Sequence, residues 1–177
     1  MINKKIQIFP KRNWKNELKL FSLTKLNFIE WVVSGNNFKE NPICQINGYK
    51  IIKKHLNINR IKCRSIDLDF IVKDNPLIFS NKKMKTFIKK IEIIATNAVK
   101  IGIKYLIFPF LENSSPNGIL KQKKLISILN IIRKKISNKI LILIETDIGP
   151  DELLRIIEKM KNKIFINYDI GNSASKN

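Results

Sequence analysis

The chain has 177 residues, 44% of them hydrophobic, and a formal net charge of +20. That length supports one domain with a core of its own and asks for no second one, so residues 1–177 are expected to form a single domain. The opening segment MINKKIQIFPKRNW lacks the continuous apolar stretch of a secretory signal. Later apolar runs such as ILILI fall far short of the roughly 20 residues a membrane helix needs, so a cytoplasmic protein with no membrane partner is expected.

The first helix is expected over residues 14–25, where Trp14, Leu18, Phe21 and Lys25 recur at three- and four-residue steps. NFIEWVV follows as a strand and SGNN as a turn. After Pro42, the spacing of Ile46, Tyr49, Ile52 and Leu56 predicts a second helix, and RIKCRSIDLDF a second strand with acids near its end. The clearest helix covers residues 82–101, with Met84, Phe87, Ile91, Ala95 and Ala98 on one face and Gly102 as its terminator. KYLIFPF is the next strand and LENSSPNG a loop. A helix then carries Leu125, Ile128, Leu129, Ile132 and Ile136, and NKILILIE is the least ambiguous strand. Pro150 suits the first turn of the last helix, with Asp151 and Glu152 at the positive end of its dipole, and KIFINYD closes the series. Helix-then-strand units repeated in this way predict an α/β fold built on about five parallel strands.

The charge does not by itself indicate a nucleic-acid protein. Basic residues lie on nearly every helix, in the gaps of the apolar pattern where solvent faces fall. Arginine, the better bidentate phosphate ligand, occurs only at positions 12, 60, 64, 133 and 155. A compositional bias explains the lysines, and no specific nucleic-acid partner is expected. Cys44 and Cys63 form no CxxC pair, and His55 is the sole histidine, placed on the flank of an amphipathic helix. A zinc cluster is excluded. No Gly-rich phosphate loop is present either, so nucleotide hydrolysis has no support.

Chemistry in parallel α/β proteins sits where the strands end at their carboxyl side. Those ends carry Glu30, Asp67 and Asp69, residues 112–115 (Glu112, Asn113 and two serines), Glu145 and Asp147, and Asp169 with Asn172. Acids gathered at one rim of a strongly basic chain need a reason, and a hard divalent cation supplies one, since it takes carboxylate oxygens and offsets their repulsion. Glu145 and Asp169 end consecutive strands and can share one ion if those strands are neighbours. The alternative is that the acids cap helices or bond loop amides; that reading is preferred for Asp147 and Asp151, and the ligand reading for Glu145.

KIQIFPKRNWKNEL, FIEWVV, ENPI, DNPLI, GIKYLIFPFLENSS, LIETDIGPDELL and INYDIGNSAS resemble, in this order, the sugar phosphate isomerase/epimerase family of xylose isomerase-like TIM barrels, whose fold is shared with metal-dependent apurinic endonucleases. PFLENSS, IETDI and NYDIGNSAS carry most of the specificity. The resemblance implies a partial (β/α)₈ barrel and a divalent metal (Mn²⁺, Mg²⁺ or Co²⁺) with Glu145 and Asp169 among its ligands. It also implies Glu145 as the catalytic group that moves a proton, and a small-molecule sugar or sugar phosphate as substrate, interconverted between ketose and aldose or between epimers. Glu30, Asp69, Glu112, Asn113 and Asn172 are the implied substrate contacts.

Against the family pattern, the first strand and the last two strands are expected to be missing, and with them the family's histidine and second glutamate ligands. Asn172 stands where many relatives have a histidine. Half a ligand set predicts a weakly held metal and a chain that does not turn over alone. A homo-oligomer or a completing chain would restore the barrel; the alternatives to an isomerase are a basic, apurinic-endonuclease-like DNA-binding module and a non-catalytic barrel fragment.

Overall fold

The computed structural model describes residues 8–35, 38–161 and 163–170. Its centre is a five-stranded sheet in the order β1-β2-β3-β4-β5, parallel at every pairing. The strands are β1 (Phe28–Val32), β2 (Lys62–Asp67), β3 (Tyr105–Phe110), β4 (Leu141–Thr146) and β5 (Phe165–Ile166). Helices α1 (Trp14–Phe21), α2 (Tyr49–Ile58), α3 (Phe70–Asp74), α4 (Asn81–Ile101), α5 (Ile119–Lys135) and α6 (Pro150–Lys159) alternate with them. Chain order and spatial order coincide, the progression that a (β/α)₈ barrel follows. Among the described residues no helix is long and apolar enough to cross a membrane.

One sheet face forms the core. Trp31, Ile66, Leu106, Phe108, Phe110, Ile142 and Ile144 are buried there together with Phe87, Ile91, Ile94 and Ala98 of α4 and Leu125, Ile128, Leu129 and Ile132 of α5. These helix positions follow the 3.6-residue period read in the sequence. Helix α4 starts at the Ser80 cap, whose hydroxyl accepts from the Lys83 amide. It stops at Gly102, whose φ of 99° is a left-handed conformation that a side chain disfavours. The other sheet face is less covered: Phe28, Tyr105, Leu141, Leu143 and Phe165 are all at least partly exposed, while Ile107 and Pro109 of β3 are buried.

Local chemistry moves several boundaries from their sequence positions. Helix α1 ends at Phe21, four residues early, where the Ser22 and Thr24 hydroxyls bond back to the carbonyls of Lys19 and Phe21. Helix α2 starts at Tyr49, which leaves Ile46 outside it and 81% exposed. The chain makes a 3₁₀ turn at Pro42–Cys44 and a left-handed residue at Asn47 before the helix can begin. Phe70, read as the end of a strand, opens the short helix α3 instead.

Pro109 lies inside β3, a strand with neighbours on both sides. The Ile107 carbonyl accepts from Leu68 next to β2, so Pro109, two residues on, also turns its nitrogen toward that side. Strand β2 has already left the sheet at Asp67, opposite Ile107. The missing N–H therefore breaks no ladder bond.

Candidate active site

The carboxyl ends of the strands enclose a pocket of about 410 Å³ lined by Glu30, Asp67, Asp69, Glu145, Asn167 and Asp169. Glu30, Asp67 and Glu145 lie at or near the ends of β1, β2 and β4, whereas Asp69, just before α3, and Asn167 and Asp169, beyond β5, reach the pocket from the segments that follow their strands. On β1 and β2 an irregularity does the aiming. The register passes from Ile29 opposite Cys63 to Glu30 opposite Ser65, leaving Arg64 unmatched. Such a bulge re-aims side chains, and here it sets the Ser65 hydroxyl against Glu30, to whose Oε2 it donates at 2.5 Å.

Glu145 sits opposite Pro109 near the end of β4, partly buried. The Asn167 side-chain amide donates to its Oε2 at 2.7 Å, and the Asn167 backbone amide donates to the Ile144 carbonyl at 2.8 Å, extending the β4–β5 pairing beyond Ile166. Asn167 thus joins the strand to the carboxylate with one residue. Beside them the Ser115 hydroxyl donates to Asp147, bridging the loops that follow β3 and β4. The cap position of α6 is Gly149, two residues after Asp147, and it makes no side-chain cap bond. Asp151 and Glu152 lie in the first turn of α6, and Glu152 accepts from Gln122 of α5 at 2.7 Å.

Asp67 is the most deeply set of the acids, 7% exposed. Its Oδ1 has no hydrogen-bond partner among the described residues. Burial, and after it the negative charges of Asp69, Glu30 and Glu145, push its carboxyl up to about 8. Around neutrality this residue is predominantly the neutral acid.

Of the residues singled out from the sequence, Glu30, Asp69, Glu145 and Asp169 meet at this pocket. Glu112 and Asn113 do not line it; they are exposed in a 3₁₀ turn, Glu112–Ser114, and the Asn113 carbonyl accepts from Asn75. Asn172 lies outside the described residues. Sequence reasoning placed Asp67 at the rim without assigning it a role, and it passed over Ser65 and Asn167. The signal for Asn167 and Asp67 was their nearness in the chain to Asp169 and Asp69, at the ends of the same two strands.

The remaining chemistry-bearing residues serve the scaffold. His55 stands edge-on to Trp14 at 5.2 Å between ring centroids, and burial pulls its imidazole below the ordinary value. Burial pushes the Cys63 thiol up to about 12 and raises that of Cys44 further. Neither thiol is a nucleophile at neutral pH. As metal donors, the rim acids have the hard oxygens that Mg²⁺ or Mn²⁺ takes. Yet among the described residues no three His, Cys, Asp or Glu side chains are grouped to hold one ion. The donor type fits a divalent cation; the number supplies only part of its shell.

No protein-family model matches the sequence, and no curated protein matches it. Solved structures do. A xylose isomerase-like TIM barrel protein from Mycobacterium smegmatis, crystallised in complex with magnesium, is similar with a TM-score of 0.57 and 15% identity, over 93% of this chain and 58% of its own. A sugar phosphate isomerase/epimerase from Parabacteroides distasonis ATCC 8503 gives 0.62 and 12%, over 93% of this chain and 62% of its own. A xylose isomerase domain protein from Planctomyces limnophilus gives 0.62 and 16%, over 89% and 57%. The chain spans about three fifths of the length of these proteins. Its five consecutive parallel strands are thus a partial barrel with the fold of the xylose isomerase-like TIM barrels.

Proposed function

We propose that this chain carries the carboxylate rim of a sugar isomerase or epimerase, a protein that interconverts ketose and aldose or epimeric sugars. The observation that supports the reading best is the convergence of Glu30, Asp67, Asp69, Glu145 and Asp169 on one pocket at the carboxyl ends of the strands. Such a reaction takes a proton from the carbon beside a carbonyl, passes through an enediol, and returns a proton to the neighbouring carbon or to the opposite face of the same one. Glu145 is the group proposed to carry that proton, its carboxylate held in one orientation by Asn167. Glu30, held by Ser65, and Asp69 contact the substrate hydroxyls. Asn172 is proposed as a further substrate contact, and Glu112 and Asn113 as contacts only of a substrate portion that extends beyond the pocket.

Glu145 and Asp169 would hold a Mn²⁺, Mg²⁺ or Co²⁺ ion together with donors from outside the described residues, supplied by a second copy or a completing chain. When bound, the ion polarises the oxygens of the sugar. The apurinic-endonuclease reading finds no favouring observation, because a phosphodiester at this rim would face carboxylates rather than cations.

Two measurements test the reading. Mn²⁺ should raise the thermal unfolding temperature of the wild-type chain and leave Glu145→Gln unmoved, because binding to the folded state alone is stabilising. In D₂O with Mn²⁺, whatever exchange of the hydrogen beside the carbonyl of ketohexoses the wild-type chain supports should be slowed in Glu145→Gln. Equal, measurable exchange by the two proteins would remove Glu145 from the proton transfer.

A further inference from the structure

We propose that the rim pocket selects an uncharged polyhydroxylated ligand over its phosphorylated counterpart, and that Asp67 is a specificity residue that bonds one of the ligand's hydroxyls. This inference rests on the sugar reading above and narrows it to a substrate class.

Charge supports the first half. The sequence contains 34 lysines and arginines, yet among the described residues the pocket is lined by the acids Glu30, Asp67, Asp69, Glu145 and Asp169 and by no lysine or arginine. A phosphate group is recognised by arginine forks, lysines or backbone amides at a helix start. Among the described residues none of those cationic side chains reaches this pocket, and the short α3 that follows Asp69 is only five residues long. A phosphate placed here would stand against like charges, the arrangement by which a site rejects a ligand. A divalent ion shared by Glu145 and Asp169 would leave Glu30, Asp67 and Asp69 facing the ligand as before. A sugar hydroxyl suits the same lining, since carboxylate oxygens accept its proton and a neutral acid can donate to its oxygen.

Burial supports the second half. Asp67 lines the pocket, is 7% exposed, and has an Oδ1 with no hydrogen-bond partner among the described residues. Buried polar groups in native proteins are almost always satisfied, and an unsatisfied one beside a cavity calls for a ligand or solvent atom. Glu30 and Glu145 already hold Ser65 and Asn167. The Oδ1 of Asp67 is a buried rim oxygen with its hydrogen-bonding capacity unused among the described residues.

The test is calorimetric titration of the 177-residue chain with D-fructose and with D-fructose 6-phosphate in magnesium-containing buffer, on wild type, Asp67→Ala and Asp67→Asn. Wild type is expected to bind fructose at least about tenfold more tightly than the phosphate ester. Asp67→Ala should weaken fructose binding by roughly tenfold, whereas Asp67→Asn, which keeps a polar group in place, should retain most of it. If the alanine variant fails to fold, the comparison of the two ligands on wild type and Asp67→Asn still decides charge selection. Equal or tighter binding of the phosphate ester overturns the inference and leaves the sugar reading standing. Unchanged fructose affinity in a folded Asp67→Ala removes Asp67 from recognition. Fructose binding that passes the test without any hydrogen exchange upholds the inference and sinks the isomerase reading instead; binding of neither ligand overturns both.

Discussion

The side-chain amide of Asn167 donates to Oε2 of Glu145 at 2.7 Å across the last strand pair of the sheet. A hydrogen bond to an ionised carboxylate contributes about 1.5–3 kcal/mol, and its geometry limits where the second oxygen can point. Asn167→Ala should therefore loosen Glu145 and slow any proton exchange while leaving the rest of the sheet folded. Asn167→Asp replaces the donor with a like charge. It should cost more stability at neutral pH than in acid, where protonation removes the repulsion. A double-mutant cycle with Glu145→Gln, read by urea unfolding, gives the coupling; additive effects would mean that the bond does not act in solution.

Asp67 makes a prediction about pH. Its carboxyl is raised to about 8 in the folded protein, by burial first and then by Asp69, Glu30 and Glu145. The unfolded value is about 3.9. Between the two the folded state keeps a proton that the unfolded state has released, so stability falls as pH rises through this window. The limiting slope for one proton is roughly 1.4 kcal/mol per pH unit. Asp67→Asn should abolish that contribution, so its advantage over wild type should grow from pH 5 to pH 7 and level off above pH 8. Parallel stability curves for the two proteins would show that Asp67 ionises normally.

How much of this was legible in the sequence depends on the range of the interaction. Helices α4 and α5 announce themselves because their buried residues recur at the helical period, and Gly102 stops α4 where it must. Glu145 and Asp169 are legible because strand ends can be read from apolar runs, and consecutive strands prove to be neighbours. Ile46 misled because its spacing fits a helix that the turn at Pro42–Cys44 prevents. The Ser65–Glu30 contact was illegible because it depends on a register shift between strands 35 residues apart. No local pattern encodes a bulge between two chain segments.

Gly48 marks that same turn as a steric requirement. A Cβ there would lie 1.6 Å from the Pro42 carbonyl oxygen and 2.6 Å from its carbon. Both are backbone atoms of the 3₁₀ turn and have little room to move. Its φ of −59° is ordinary, so the demand is for space rather than for a special conformation. Gly48→Ala should destabilise by about 3 kcal/mol or more, at the upper end of overpacking costs. By contrast Gly149→Ala, whose Cβ would meet nothing within 4 Å, should change stability little. Chemical unfolding of the pair measures the contrast, and similar values would show that the turn yields.

Asn41 ties this turn to the strand that carries Glu30. It is fully buried, and its Oδ1 accepts from the Trp31 indole at 3.0 Å and from the Ile43 amide at 3.2 Å. Its Nδ2 donates to the Val32 carbonyl at 2.9 Å. Removing the side chain strands two buried donors and one acceptor, each costing about 1–3 kcal/mol when left unpaired. Asn41→Ala is expected to lose roughly 3 kcal/mol or more, and Trp31 fluorescence should report the changed surroundings of the indole. Asn41→Asp keeps the acceptor but loses the bond to Val32 and places an acid in the core, so it should be rescued in part as pH falls and the carboxyl takes up a proton. Because Trp31 neighbours Glu30 on β1, the alanine variant should also weaken sugar binding beyond what its folded fraction explains. Binding that follows the folded fraction alone would limit Asn41 to the scaffold.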